Sequence, residues 1–249
     1  MRFNRLLRPM LRPTPRRLAG SAAAQTPLSL FGALCVVDCP VGPLYCRKVD
    51  DSPCAVGDVV RKQFNRANNT WYSTADGPTL RQHAGGLYYR EWSGTNSITL
   101  NSTSQSNGVG ITFGFTGYQT NVNGCPIGIN STTIGQARIL FPRGDFTPAK
   151  NYFIGWGADG VGAVTLDTST PKTITARADG ASTVRFSDGT TADVITLGAS
   201  LTGYASTAIV MGNPGYQFAG SDFGMCVVTK SLTDLEETSL RSVLDSWRP

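Results

Sequence analysis

The sequence predicts an all-β chain. An antiparallel sandwich over residues 31–249 ends in a short C-terminal helix and follows an extended basic arm over residues 1–30. Three observations point there. The composition favours turns and strands, with 28 glycines among 249 residues and only 16% charged side chains, which suits short strands better than a helical bundle. Short apolar or alternating runs are punctuated along the chain by Gly-, Asn-, Asp- and Pro-bearing turn signals, the rhythm of a sandwich. Residues 172–196 then read as two consecutive hairpins, because Thr173, Thr175 and Arg177 alternate with Ile174 and Ala176 and the same period of two returns in Thr183–Phe186.

In chain order, the arm comes first. It carries Arg2, Arg5, Arg8, Arg12, Arg16 and Arg17 and no acid, and Pro9, Pro13, Pro15 and Pro27 exclude one continuous helix. Without these six arginines the chain holds 16 Lys and Arg against 17 Asp and Glu, so the formal charge of +5 belongs to the arm. The remaining body is near neutral and has no charge basis for binding nucleic acid. The arm is read as an assembly element lying on another subunit, with a disordered basic tail and an Arg-rich presequence as alternatives. Leu6-Leu7 is cut by Arg8 and Pro9, which argues against a secretory signal. No apolar run approaches the roughly 18 residues of a membrane-spanning helix.

Residues 28–60 hold Cys35, Cys39, Cys46 and Cys54. Their spacing lacks a Cys-x2-Cys knuckle and His83 is the sole histidine, so zinc is not expected. Free thiols and three disulfide pairings all remain open. Residues 61–80 read as a polar connection with an Asp76-Gly77-Pro78 turn. Strands are expected at 86–92, 97–100 and 109–115, with a Ser/Asn/Gly loop at 101–108. The stretch 117–135 reads as a long polar loop, followed by strands at 137–141, 152–156 and 162–166. Asp179-Gly180 and Asp188-Gly189 close the two hairpins, since Asp-Gly supplies the positive φ of a tight turn. Further strands are expected at 208–211 and 218–230. Thr233 and Glu236 make a capping box, and Leu240, Val243, Leu244 and Trp247 recur at helical spacing.

The order of these closing elements resembles the C-terminal half of laminin-G/concanavalin-like jelly-roll domains. There a hairpin of the form DGSTVRLYVDG precedes GYIDDVRIYNRALTDAEI. Asp179–Phe186 and Ser187-Asp188-Gly189 stand in the first positions; Phe218-Ala219-Gly220, Val227-Val228 and Ser231–Glu236 stand in the second. The acidic pair of that pattern is reduced here to Asp222, which weakens the case for calcium. The stretch Gly42–Ser52, GPLYCRKVDDS, is similar to the GPLYxVRRxSD opening of the arabinofuranosidase-B-type catalytic domain, another concanavalin-like sandwich with relatives among phage virion proteins. That likeness places the start of the sandwich near residue 35.

Together the resemblances imply a virion protein of a bacteriophage, a head-decoration or tail-fibre component present in many copies or as a homo-oligomer. Its partners would be other virion proteins and a host-surface glycan, with no cofactor, no metal, no membrane and no sequence-specific nucleic acid. The residue chemistry is read as non-enzymatic, with no catalytic residue assigned. Glutamate is confined to Glu91, Glu236 and Glu237, and no G-x-S-x-G is present. An arabinofuranosidase-type glycoside hydrolase is the alternative. Glu91 with Asp145 or Asp159 is its best acid pair, and two acids facing one cleft would favour it. For glycan binding, aromatic faces and amide groups in loops or at strand ends are the candidates: Tyr118, Asn121, Asn123, Asn130, Trp156, Asn213 and Tyr216. An ordinary polar rim is the other reading of the same residues.

Overall fold

The computed structural model describes residues 24–105, 109–121, 124–130, 138–143, 150–155, 158–161, 164, 169–196, 204–212 and 217–249. After α1 (Pro27–Phe31) come β1 (Cys35–Pro40), β2 (Cys46–Arg47), β3 (Lys62–Asn65), β4 (Thr70–Ser73), β5 (Thr79–Gln82), β6 (Tyr88–Ser93), β7 (Ile98–Gln105), β8 (Ile111–Gln119) and β9 (Ile127–Asn130). The second half adds β10 (Arg138–Arg143), β11 (Lys150–Gly155), β12 (Ala158–Val161), β13 (Lys172–Ala178), β14 (Thr183–Ser187), β15 (Ala192–Thr196), β16 (Tyr204–Met211), β17 (Ala219–Val228) and α2 (Asp234–Asp245).

Two antiparallel sheets make the sandwich. One is ordered β15-β14-β13-β8-β17-β6-β5 and takes β1 on β17; the other is β12-β11-β10-β9-β16-β7. A small third sheet, β2-β3-β4, is tied to β1 by Asn65, which accepts from the Asp38 N–H at 2.9 Å and donates to the Val36 carbonyl at 2.9 Å. Side chains alternate across each strand. Phe113, Phe115, Ile174 and Met225 of the first sheet therefore meet Ile127, Ile129 and Ile209 of the second in one buried core. The opposite face of the first sheet meets α2, where Cys226 and Val228 pack against Leu240 and Leu244.

The C-terminal signals fold as the sequence predicts. Gly180 and Gly189 take φ of 84° and 92° at the hairpin turns. The Thr233 hydroxyl accepts from the Glu236 N–H at 3.3 Å, and the Glu236 carboxylate accepts from the Thr233 N–H at 2.9 Å. Leu240, Val243 and Leu244 are buried, and Trp247 lies half-buried just past the helix. The helix rests on glycines. A Cβ at Gly114 would stand 2.7 Å from Leu244 Cδ1, and one at Gly224 would stand 2.2 Å from the Trp247 ring.

Several expectations are corrected. The stretch 61–80 is not a plain connection but holds β3, β4 and the start of β5. Its polar residues form strands because Gln63 and Asn65 turn toward buried hydrogen-bond partners. Residues 101–105, expected in a loop, continue β7 through backbone pairing with β16. The expected loop 117–135 contains the end of β8 and all of β9. The strand expected at 162–166 lies earlier, at β12, and of that stretch only the buried Val164 is described. Pro27–Phe31 is a capped helical turn where extended arm was expected, held by the Leu28 N–H donating to Asp38 at 3.3 Å. Residues 1–23, with all six arm arginines, lie outside the described residues.

All six cysteines are buried, and burial pushes the Cys54 thiol up to about 12. Among the described residues no group of acids, histidine and cysteines could hold a metal, and no helix is long and apolar enough to cross a membrane. The seat of α2 can be tested. Gly224→Ala should destabilise by about 1–3 kcal/mol through overpacking. Trp247→Ala should cost about 3 kcal/mol, the low end for a buried aromatic. In the double variant the new methyl no longer meets an indole, so urea unfolding should show losses clearly below additive; strict additivity would mean that ring and glycine are not coupled.

Candidate functional site

The site begins with a change of partner along β17. On one edge β17 pairs with β8; on the other it pairs with β6 over Ala219–Asp222 and with β1 over Gly224–Val228. A bulge falls at the changeover, between Asp222 and Gly224, and leaves Phe223 as the extra residue. The end of α2 covers the β1 half through Trp247 over Gly224. Past that point the outer face of β5, β6, β17 and β8 carries no helix among the described residues.

Facing the core beneath it is a buried polar network. Arg90, Asp222 and Gln63 are all 0% exposed. Arg90 Nη2 donates to Asp222 Oδ1 at 2.5 Å, and Arg90 Nε donates to Asp222 Oδ2 at 3.0 Å. Arg90 Nη1 donates to Gln63 Oε1 at 2.7 Å, and Trp92 Nε1 donates to Asp222 Oδ2 at 2.5 Å. Burial by itself lowers the guanidinium's pKa; the Asp222 carboxylate more than offsets this and holds it above its ordinary value. With Arg90 and Trp92 turned inward, the alternation of β6 turns Tyr89, Glu91 and Ser93 outward.

On the outer face Glu91, Ser221 and Tyr118 stand in one register row. Arg81 Nε donates to Glu91 Oε2 at 2.8 Å, with both side chains about half exposed. The Tyr89 ring lies 5.4 Å from the Phe223 ring, and His83 meets Phe223 edge-on at 6.4 Å. Burial first, then the neighbouring Tyr118 and Glu91, raise the Tyr89 phenol above its usual range, with Arg81 opposing. Beyond Glu91 the face opens into a polar cleft of about 500 Å³ lined by Arg61, Asp76, Thr79, Glu91, Asn96 and Thr120. Its groups are held in place: Asn96 Nδ2 donates to Asp76 Oδ1 at 2.9 Å, and the Ser93 N–H donates to Asn96 Oδ1 at 2.8 Å. At the other end Leu87, Tyr88, Phe223 and Trp247 line a pocket of about 330 Å³. Ring faces beside fixed hydroxyl, amide and charged groups suit a ligand rich in hydroxyls.

A larger cleft of about 660 Å³ lies between α2 and β14, lined by Arg185, Asp188, Glu237 and Arg241 among others. Its charges engage one another and the sheet. Glu237 takes Thr175 Oγ1 at 2.5 Å and lies 3.4 Å from Arg177, while Arg241 donates to the carbonyls of Ser187 and Thr173. That cleft fastens the helix.

Of the sequence-predicted residues, Tyr118 lies on the open face. Asn121 lies near the polar cleft, but its amide is taken up: Nδ2 donates to the Gln217 carbonyl at 2.8 Å and Oδ1 accepts from the Ala219 N–H at 2.9 Å. Asn130 contributes backbone pairing between β9 and Ala208. Asn123, Trp156, Asn213 and Tyr216 lie outside the described residues. The acid pair proposed from sequence does not form the cleft, because Asp159 sits in β12 of the other sheet and Asp145 is outside the described residues. Glu91 instead shares its cleft with Asp76. The aromatics around Glu91, Tyr89 among them, are legible in the sequence as rings that could stack on a sugar, whereas Phe223, Arg81, Asp76 and Asn96 were not expected as site residues. The alternation in Tyr89-Arg90-Glu91-Trp92 would have placed Tyr89 and Glu91 on one face; nothing local marks Asp76.

No protein-family model matches the chain, and no curated protein matches it. The structure is similar to solved β-sandwiches at low identity. An arabinofuranosidase complexed with arabinofuranosyl-α-1,2-xylobiose matches 90% of this chain with a TM-score of 0.60 at 12% identity. A variant of a GH54 α-L-arabinofuranosidase soaked with 4-nitrophenyl α-L-arabinofuranoside matches 90% with a TM-score of 0.58 at 13% identity. The chain spans about two thirds of both, 65% and 66% of their lengths. Domain 4 of AbnA, a GH43 extracellular arabinanase from Geobacillus stearothermophilus in complex with arabinotriose, matches 68% of this chain and 82% of its own, with a TM-score of 0.52 at 12% identity. These likenesses show the fold, an all-β sandwich. They also correct the non-enzymatic reading. The two arabinofuranosidases matched over nine-tenths of this chain are enzymes with a sandwich of this kind, so the fold is no ground for placing the chain outside enzymes.

The network beneath the site makes a sharp expectation. Arg90→Met or Asp222→Leu alone strands a buried charge and should cost about 3–5 kcal/mol. Replacing both should cost less than either single change. Urea denaturation of the four proteins checks this, and a single-variant loss below about 1 kcal/mol would show that the pair does not hold β6 to β17.

Proposed function

We propose that this chain is a carbohydrate-binding β-sandwich that holds a glycan on the open face of β5, β6, β17 and β8, and that it serves as a structural component of a bacteriophage particle. The observation that carries the binding reading is the placement of Tyr89 and Tyr118 beside a cleft whose polar groups are already paired and oriented, Arg81 with Glu91 and Asn96 with Asp76. Ring faces withdraw the C–H faces of a sugar from water. Polar groups fixed before binding lose little entropy when the sugar hydroxyls arrive. The particle reading rests on the resemblance of the Gly42–Ser52 opening and on the basic arm. Removing residues 1–23 should leave a folded sandwich that no longer enters the particle; undiminished incorporation would remove the arm from assembly.

A hydrolytic reading is favoured by one observation, that Asp76 and Glu91 line the same cleft. One experiment separates the two. Purified protein is titrated with arabinan, arabinoxylan and host-envelope polysaccharide, and released sugar is measured alongside. Tyr118→Ala and Tyr89→Ala should each weaken binding about tenfold, or ~1.4 kcal/mol, with unchanged circular dichroism. Absence of retention by the wild-type protein would overturn glycan binding. Turnover that drops by about 10²–10⁴-fold in both Asp76→Asn and Glu91→Gln would establish the hydrolase instead.

A further inference from the structure

The polar cleft, the aromatic step and the apolar pocket are not separate features. Glu91 belongs both to the cleft and to the register row of Tyr118. Phe223 belongs both to the ring contact with Tyr89 and to the pocket beside Trp247. The three run along the outer side of β6, from Ser93 in the cleft to Leu87 in the pocket, a length of ~20 Å at the rise of a β-strand. That is the length of a short oligosaccharide and far more than one sugar.

Charge narrows the ligand. Two cations of the strip, Arg61 and Arg81, stand against two anions, Asp76 and Glu91. The formal charges cancel, and Glu91 is already paired with Arg81 at 2.8 Å. A uronate or sulfated sugar would meet the two carboxylates with no surplus of cations to offset them, a penalty that discriminates against acidic chains. The polarity of the strip also falls along its length, from hydroxyl, amide and charged groups at Thr120 and Asn96 to Leu87 and Trp247.

Resting on the glycan-binding reading, we propose that the strip takes an extended, neutral oligosaccharide several units long. Its hydroxyls enter the cleft, a ring face crosses Tyr89 and Tyr118, and its far unit lays an apolar face on the pocket that Trp247 walls. The C-terminal residues past α2 thereby contribute a binding subsite.

The test uses the full chain and two ligand series of increasing length, neutral arabino-oligosaccharides and acidic oligogalacturonides, measured by calorimetry. Affinity for the neutral series should rise stepwise and level off at the length that fills the strip. It should change by less than about twofold as salt is raised, since no net charge is exchanged. Leu87→Ala, on a half-exposed loop residue, should remove the gain from the longest ligands by about threefold to tenfold and leave the shortest unaffected. Thr120→Ala, at the cleft end, should weaken every length alike. Affinity that stops rising after one or two units would overturn the strip while glycan binding stands. Tighter binding of the acidic series would overturn its neutrality. No binding in either series would overturn this proposal together with the reading it rests on.

Discussion

Arg90 and Asp222 form an ion pair in the core, where β6 lies against β17. Both side chains are wholly withdrawn from water, and desolvating two charges costs several kcal/mol per ion. Such a pair persists only when the remaining donors and acceptors are also satisfied. Here Trp92 donates to the carboxylate and Gln63 accepts from the guanidinium, while Gln63 itself donates to the carbonyls of Phe64 and Pro40. The network therefore ties β6 and β17 to β3 and the end of β1. It also defines register. A slip of β6 by one residue would carry Arg90 to the outer face, leave Asp222 unpaired in the core and bring Tyr89 and Glu91 inward, so the buried pair and the exposed site are two sides of one alignment.

A second constraint divides the outer face into a covered half and an open half. β17 exchanges β6 for β1 at its bulge, and glycines at 114 and 224 let α2 and Trp247 come close on the β1 side. The cation Arg177 reinforces that seat through Asp234 and Glu237, which face it from the helix. Where the glycines end, aromatic residues begin, and Phe223 at the bulge is the residue shared by the two regions. The same packing that buries the helix stripe thus sets the boundary of the candidate site.

The likeness to arabinofuranosidases and to an arabinanase domain concerns how strands are arranged, since identities of 12% and 13% carry no residue from one chain to another. A fold of this kind hosts several chemistries, and what a site does is set by its own side chains. In this chain those side chains are two tyrosines, a half-exposed Arg–Glu pair and a cleft with two carboxylates. Binding requires only that they be presented together. Hydrolysis would further require one carboxyl to be kept protonated.

Elements whose cause is local are legible in the amino-acid sequence alone. Asp179 and Asp188 accept from backbone N–H groups within four residues and so close their hairpins, and Thr233 with Glu236 caps a helix from within one turn. The period of two around Tyr89 and Glu91 likewise encodes which face each occupies. Other features lie beyond any local signal. The polar strands β3 and β4 and the end of β7 have no apolar alternation; they are strands because a neighbouring ladder takes their backbone groups. Asp222 reads as the remnant of an acidic pair, yet it is the partner of an arginine 132 residues earlier. Asp76, Glu91 and Thr120 come from three separate segments and become one cleft only when β5, β6 and β8 take their places around β17. Periodicity and turn chemistry act between neighbours in the chain, whereas a binding face is made by strands that meet across it, and that meeting is decided by burial and pairing in the folded sheet.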